Sequence, residues 1–133
     1  MHKKFTNYSL MFIVLLNGFV LVASCSAIKA IQDEDVDIVT TSASPNKEYI
    51  ATIYIVSGGG AAGYVYRLVN IRKRGEPFDP KKGIVFHMSG ARELGLTWED
   101  DKHLSIKHSK DAHIHIQAKE WGEGKVQIQY VEQ

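Results

Sequence analysis

The chain has 133 residues, which is enough for one domain and too few for two of ordinary size. Its hydrophobic fraction of 44% and charged fraction of 23% are typical of a globular protein and exclude global disorder. The formal charge is +1, and removing Lys3 and Lys4 with a leader leaves 14 basic and 15 acidic residues, which does not favour a nucleic acid partner. Cys25 is the only cysteine, so an intramolecular disulfide is excluded.

Residues 1–24 have the layout of a secretory signal peptide. The basic start His2-Lys3-Lys4 precedes an apolar run from Leu10 to Val22, which is short for a membrane-spanning helix of about 20 residues. The run ends in Val22-Ala23-Ser24-Cys25, which resembles the lipobox of bacterial lipoproteins. This resemblance implies that Cys25 is lipidated and becomes the N-terminus, and that acyl chains hold the protein at a membrane. The alternative is an ordinary signal peptide cut after Ala27, with Cys25 discarded.

The residues that follow the cysteine bear on where the protein resides. Ser26 is not an aspartate, so the lipoprotein resemblance implies a place in the bacterial cell envelope, on the periplasmic side of the outer membrane if there are two membranes. Residues 25–43 contain a cluster of acidic residues followed by small polar ones, which predicts a solvated tether. Within it, Val36, Ile38 and Val39 are the residues that would form a short edge strand.

Residues 44–133 are predicted to form one all-β domain. The segments Tyr49–Val56 and Tyr64–Ile71 are rich in β-branched and aromatic residues, and they predict the two arms of a hairpin. Three glycines between them, Gly58, Gly60 and Gly63, match G-x-G-x-x-G. In a dinucleotide-binding fold a helix follows that motif, whereas a predicted strand follows it here. The glycines therefore indicate a hairpin tip, and no nucleotide is expected.

Two likenesses to known sequences fall in this domain. The octet from Ser44 to Ala51 is similar to the phrase that begins a strand in bacterial β-propeller blades, but no internal repeat accompanies it. A broader likeness combines Ser44-Pro45, the glycine cluster, and Leu96-Thr97-Trp98-Glu99-Asp100-Asp101. It is similar to a family of small bacterial secreted or lipid-anchored domains of unknown function. The resemblance implies an all-β domain in the cell envelope and no particular activity.

Five further strands are predicted after the hairpin: Ile84–Met88, Leu94–Glu99, His103–His108, His113–Lys119 and Val126–Val131. Four of them alternate between apolar and polar residues, as expected of a sheet with one buried face. The predicted buried face consists of Leu94, Leu96, Trp98, Leu104, Ile106, Ile114, Ile116, Ala118, Val126, Ile128 and Tyr130. Short links between these strands predict an antiparallel meander. The whole domain is expected to be a sandwich or small barrel of seven to eight strands.

A loop between the hairpin and these strands has a basic character. It contains two prolines, two glycines and the five basic residues Arg72, Lys73, Arg74, Lys81 and Lys82. Such a loop is usually only solvated, and the alternative is that it binds an acidic partner or lipid headgroups.

The polar face of the late strands contains the best candidates for a metal or small-ligand site. His113 and His115 are two apart on one strand and point the same way, and a meander places His103 near Gln117 or Lys119 of that strand. A zinc site needs three or four ligands, so the competing interpretation is an exposed polar sheet face.

The sequence contains neither G-x-S-x-G nor H-E-x-x-H, so we expect no enzyme and no cofactor. Two hypotheses follow from the residues. The first is a non-enzymatic, lipid-anchored envelope domain that binds another protein, in the manner of small inhibitors or immunity lipoproteins. The second is an envelope protein that binds a metal or small ligand through His103, His113 and His115.

Overall fold

The computed structural model describes residues 34–133. Within this range the chain forms nine strands and one short 3₁₀ turn, Gly60–Ala62, and no helix that is long and apolar enough to cross a membrane. The strands are β1 Asp35–Ala43, β2 Tyr49–Gly58, β3 Tyr64–Lys73, β4 Ile84–Ser89, β5 Gly95–Asp100, β6 His103–His108, β7 Ile114–Gln117, β8 Glu120–Trp121 and β9 Val126–Glu132.

The strands form two sheets that pack face to face. Sheet A has the order β1-β2-β3-β4-β7, and sheet B has the order β5-β6-β9-β8. A buried cluster joins the two, with side chains from β2, β3 and β4 on one side and from β6 and β9 on the other. The predicted all-β class is therefore confirmed, and the layers form a sandwich.

The predicted hairpin is the centre of sheet A. Strands β2 and β3 pair antiparallel without a break from Tyr49 opposite Lys73 to Gly58 opposite Tyr64. The chain reverses through Gly59 and Gly60, whose φ angles of 84° and 58° lie in the left-handed region that glycine tolerates. The glycine run is thus a hairpin tip, as the sequence predicted.

The predicted tether is too long at its C-terminal end. Residues Asp35–Ala43 form β1, which pairs with β2 from Asp35 opposite Ser57 to Ala43 opposite Ile50. The backbone of β2 offers a free edge to pair with, and this outweighs the acidic character of residues 35–37. The edge strand that Val36, Ile38 and Val39 suggested therefore forms, and it is longer than expected.

The second half of the chain is not a simple meander. Strand β7 leaves β6 and joins sheet A beside β4, and β9 pairs with β6 in the parallel direction. Strand β8, which was not predicted, forms the short hairpin with β9. Alternation of apolar residues defines which face of a strand is buried, but it does not define the neighbouring strand, so the order of these strands was missed.

The predicted buried face is largely confirmed. Four of its members are buried, and six others pack at the margin of the same cluster; they are Leu104, Ile106, Val126 and Ile128, then Leu94, Leu96, Trp98, Ile114, Ala118 and Tyr130. Ile116 is an exception, with 39% of its surface exposed. The register between β4 and β7 shifts, because Met88 pairs with Ile114 and His87 pairs with Ile116. This bulge ends the alternation before Ile116.

Sheet A is apolar on its outer face as well. Tyr54, Val56 and Leu68 are buried there, on the side that faces away from sheet B. Residues 74–83, which we call the covering loop, lie over part of this face, with Phe78 and Ile84 packed against the buried side chains. The rest of the outer face is the part of the molecule where the candidate site lies.

Candidate functional site

Five aromatic and imidazole rings form a row across the outer face of sheet A. Tyr64 and Tyr66 stack with their ring centroids 5.0 Å apart on β3, and the ring of His87 on β4 meets Tyr66 edge-on at 4.7 Å. The row continues to His115 on β7, 4.8 Å from His87, and ends at His113, 4.9 Å from His115. The sequence predicted the pairing of the last two, and it missed the first three.

Two contacts define the middle of this row. The Nε2 atom of His115 lies 2.6 Å from the Oγ atom of Ser89, within hydrogen-bond distance. The pKa of His87 lies below its ordinary value, first because the ring is partly buried and then because His115 is close. The Nε2 atom of His87 is buried and has no hydrogen-bond partner among the described residues. The imidazole of His87 is therefore neutral at pH 7.

The third histidine of the predicted metal set is not part of this row. His103 lies on β6 in sheet B, where its Nδ1 atom is 2.8 Å from both carboxylate oxygens of Asp100. This contact and a backbone hydrogen bond from Lys102 lower the pKa of Asp100, with the backbone bond as the larger cause. Because β7 pairs with β4 and not with β6, the structure places His113 and His115 in sheet A and His103 in sheet B.

No alternative metal set takes its place. Within residues 34–133, no group of three or more histidine, cysteine, aspartate or glutamate residues is arranged to hold a metal ion. The contact between Ser89 and His115 has the geometry of a nucleophile and a base, but the structure gives no hydrogen bond from His115 to a carboxylate in the described range. The arrangement therefore offers ring surfaces and hydrogen-bonding groups for binding.

A groove opens beside the row, between it and the covering loop. Its volume is about 320 Å³, and it is lined by Glu34, Val56, Tyr66, Leu68, Pro80, Lys81, Ile84 and His87. We call it the outer-face groove. Most of its walls are apolar, whereas Glu34 and Lys81 place opposite charges on its rim. Glu34 is held by the hydroxyl of Tyr64, which donates a 2.7 Å hydrogen bond to its carboxylate and whose pKa is raised by that bond.

Strand β1 extends this surface beyond the groove. Val36 pairs with Val56 and Ile38 pairs with Tyr54, so the two side chains lie on the same face as the buried outer cluster. Val36 is 36% exposed and Ile38 is 54% exposed. The other long edge of β1 has no partner strand in the described part of the chain. Apolar surface therefore continues from the groove to the edge of the sheet.

The basic loop residues are distributed differently from the prediction. Arg72 and Lys73 end strand β3, and the Nη1 atom of Arg72 donates a 2.7 Å hydrogen bond to the Oγ1 atom of Thr52. The guanidinium group of Arg72 also lies over the ring of Phe78 at 5.7 Å, so this residue is structural in part. The remaining four, Lys73, Arg74, Lys81 and Lys82, are exposed.

The covering loop is fixed to the sheet by two buried polar side chains. The hydroxyl of Tyr54 donates a 2.7 Å hydrogen bond to the carbonyl of Pro80, and the Nδ2 atom of Asn70 donates to the carbonyls of Asp79 and Lys82. Phe78 meets the ring of Tyr54 edge-on at 5.1 Å. The sequence predicted a solvated loop. Phe78, which lies between Pro77 and Pro80, is the residue that could have indicated packing against the sheet.

Cys25, the predicted lipidation site, lies outside the described residues, so its modification stays a prediction. No protein family model, no curated protein and no solved structure matches this chain significantly. The likenesses to lipoproteins and to small envelope domains therefore also stay predictions. The features of the chain that bear on function are the outer face of sheet A and the leader sequence.

Proposed function

We propose that this protein is a non-enzymatic, lipid-anchored domain of the bacterial cell envelope that binds another protein through the outer face of sheet A. The single observation that supports the binding proposal most is the incomplete cover of that face. The covering loop buries Tyr54, whereas Tyr66 and Ile84 line an open groove. Apolar surface beside a polar rim is typical of surfaces that bind other proteins.

The composition of the surface indicates the chemistry of the partner. Val36 and Ile38 offer apolar contacts, and Tyr66 offers a ring that excludes water and needs little ordering on binding. Glu34 places a carboxylate on the rim of the groove at the start of β1. A partner that places apolar side chains in the groove, with a basic side chain toward Glu34, is complementary to this arrangement.

The anchor is proposed from the leader sequence. Val22-Ala23-Ser24-Cys25 resembles a lipobox, and lipidation gives the only cysteine of the chain a role. More than one acyl chain is needed for stable anchoring, at about 0.8 kcal/mol for each buried CH₂ group. Lipidation of Cys25 supplies such chains.

Cell fractionation tests the anchor. We expect the wild-type protein in the membrane fraction and the Cys25→Ser variant in the soluble fraction. A matched control, Ser26→Ala, should stay with the membranes. Mass spectrometry of the wild-type N-terminal peptide should show acylation at Cys25. Membrane association of the Cys25→Ser variant at the wild-type level would remove the lipid-anchor proposal.

Site-specific crosslinking on intact cells tests the binding face. A photoreactive phenylalanine analogue at Tyr66 lies in the groove, whereas the same analogue at Thr97 lies on an exposed position of sheet B. We expect position 66 to give one recurrent protein adduct that position 97 does not give. Adding Ile38→Ser should reduce that adduct. Identical adducts at both positions, or adducts to lipid alone, would contradict binding through this face.

A further inference from the structure

Strand β1 forms one edge of sheet A, and the side of it that faces away from β2 is open. No strand of the described residues pairs with that side. The indole N–H of Trp98 on β5 donates a 3.1 Å hydrogen bond to the carbonyl of Ser42, so the C-terminal end of β1 is closed. Residues 35–41 are all exposed. We call residues 35–41 the β1 edge, and at about 3.3 Å per residue it is about 23 Å long.

The β1 edge is the longest open sheet edge in the described part of the chain. Sheet A ends on its other side at β7, Ile114–Gln117, and sheet B ends at β5, Gly95–Asp100, and at β8, Glu120–Trp121. An edge strand directs unpaired N–H and C=O groups away from the sheet, and these groups can pair with a further strand. The backbone of β1 is therefore able to bind an extended segment from outside the domain.

The side chains at the start of the β1 edge alternate between two kinds. Asp35 and Asp37 lie on one face, and Val36 and Ile38 lie on the other, which they share with the outer cluster. The pairing of these four residues with β2 is regular, and it shifts only after Ile38. Neither aspartate forms a salt bridge within residues 34–133. One face of the edge thus presents two uncompensated charges, and the other presents two exposed aliphatic side chains.

These two faces specify the strand that fits beside them. Neighbouring side chains on one face of a sheet interact, so that opposite charges there are favourable and like charges are unfavourable. A complementary strand has basic side chains on the face of Asp35 and Asp37 and aliphatic side chains on the other face. A second copy of β1 does not supply them, because Asp35–Ala43 contains two acidic residues and no lysine or arginine.

We propose that the β1 edge binds an extended segment of a partner protein in which aliphatic and basic residues alternate. The segment adds to the five strands of sheet A as a sixth, with its backbone paired to β1. Its aliphatic side chains lie beside Val36 and Ile38, and its basic side chains meet Asp35 and Asp37. This inference rests on the proposed function in that the partner is a protein, and it adds the mode of binding and the chemistry of the bound segment.

Peptide binding tests the proposal. The ligand is a fluorescein-labelled peptide of seven residues in which valine and lysine alternate. It is titrated with the full-length protein in a nonionic detergent, with detergent alone as the blank, and binding is followed by fluorescence anisotropy. We expect saturable binding. A peptide of the same composition with its valines and lysines in two blocks should bind about tenfold more weakly. A peptide with N-methyl groups on its backbone amides keeps the side chains but loses the N–H donors, and it should not bind.

Charge reversal on the protein tests the same contacts from the other side. Asp35→Lys/Asp37→Lys should weaken binding of the valine–lysine peptide by about tenfold, because two attractive pairs become repulsive. The same double variant should bind a valine–glutamate peptide, which the wild type should not bind. The control Glu93→Lys/Glu132→Lys makes the same change in net charge at exposed positions outside β1, and it should bind as the wild type does.

Four results would overturn the proposal. They are no binding of the valine–lysine peptide, equal binding of the block or N-methylated peptide, no exchange of preference in the charge-reversed variant, and a dimer of the wild type in sedimentation that this variant dissociates. The last result would mean that a second copy covers the edge. Crosslinking from position 66 is a separate measurement. An adduct there without peptide binding removes strand addition alone, whereas peptide binding without an adduct removes the outer face as the binding surface and leaves the β1 edge.

Discussion

Sheet A has two apolar faces, and the chain covers them in different ways. On the inner face Ile53, Val69 and Phe86 are at most 1% exposed, because β6 and β9 of sheet B pack against the same cluster. On the outer face the covering loop buries Tyr54, but Tyr66 remains only half-buried beside the groove. The inner face is thus built for stability. The open part of the outer face is apolar surface that stability does not require.

Truncating one phenylalanine on each face is the strongest test of this difference. Phe86 is fully buried and packs against His108 and Tyr130, with ring centroids 5.5 and 5.7 Å away. We expect Phe86→Ala to lower the free energy of unfolding by about 3–5 kcal/mol in urea denaturation. Phe78→Ala, in the half-buried covering loop, should cost less than half as much. Equal losses would mean that the two faces contribute alike.

Removing one hydroxyl tests how firmly the covering loop is held. Tyr54→Phe deletes the hydrogen bond to the carbonyl of Pro80, and we expect it to cost about 1 kcal/mol in the same measurement. Burial and then the charge of Asp79 raise the pKa of Tyr54 to about 12, so its absorbance should titrate well above that of a free tyrosine. The control is Tyr66→Phe, which should change stability by less than about 0.5 kcal/mol. A loss as large for Tyr66→Phe would contradict the assigned role of Tyr54.

Comparing the wild type with a His87 variant during acidification tests the outer face. The pKa of His87 is lowered from 6.5 in the folded state, so the unfolded chain binds this proton first as the pH falls. Its contribution to stability is therefore complete above pH 6.5 and declines as the pH drops toward the lowered folded value. We expect the melting temperature of the wild type to fall between pH 7.5 and 5.5, and that of His87→Gln to fall less. Thr97→Ser, at an exposed and non-titrating position of sheet B, should behave as the wild type does.

The sequence predicted the hairpin well because its information is local. The β-branched and aromatic residues of Tyr49–Val56 and the glycines after them determine a strand and its turn without reference to the rest of the chain. The strand order was not predictable in this way. Period-two alternation placed Leu104 and Ile106 on a buried face, but it does not state which strand lies beside β6.

The contacts of the candidate site could not be predicted, because they depend on which strands lie side by side. His113 and His115 were predicted as a pair because they lie on one strand. The contacts of His115 with His87 and Ser89 arise from the pairing of β4 with β7, which no local pattern indicates.

Two substitutions of exposed aliphatic residues should have the smallest effects on stability. They separate a role in binding from a role in folding most directly. Ile38 is 54% exposed on the outer face and Val131 is 43% exposed on β9, so the two are similar in exposure and different in place. We expect Ile38→Ser and Val131→Ser each to change the free energy of unfolding by at most about 0.5 kcal/mol. Only Ile38→Ser should reduce crosslinking from position 66 in intact cells. If both variants or neither reduce it, the open outer face is ordinary surface and the partner, if one exists, binds elsewhere.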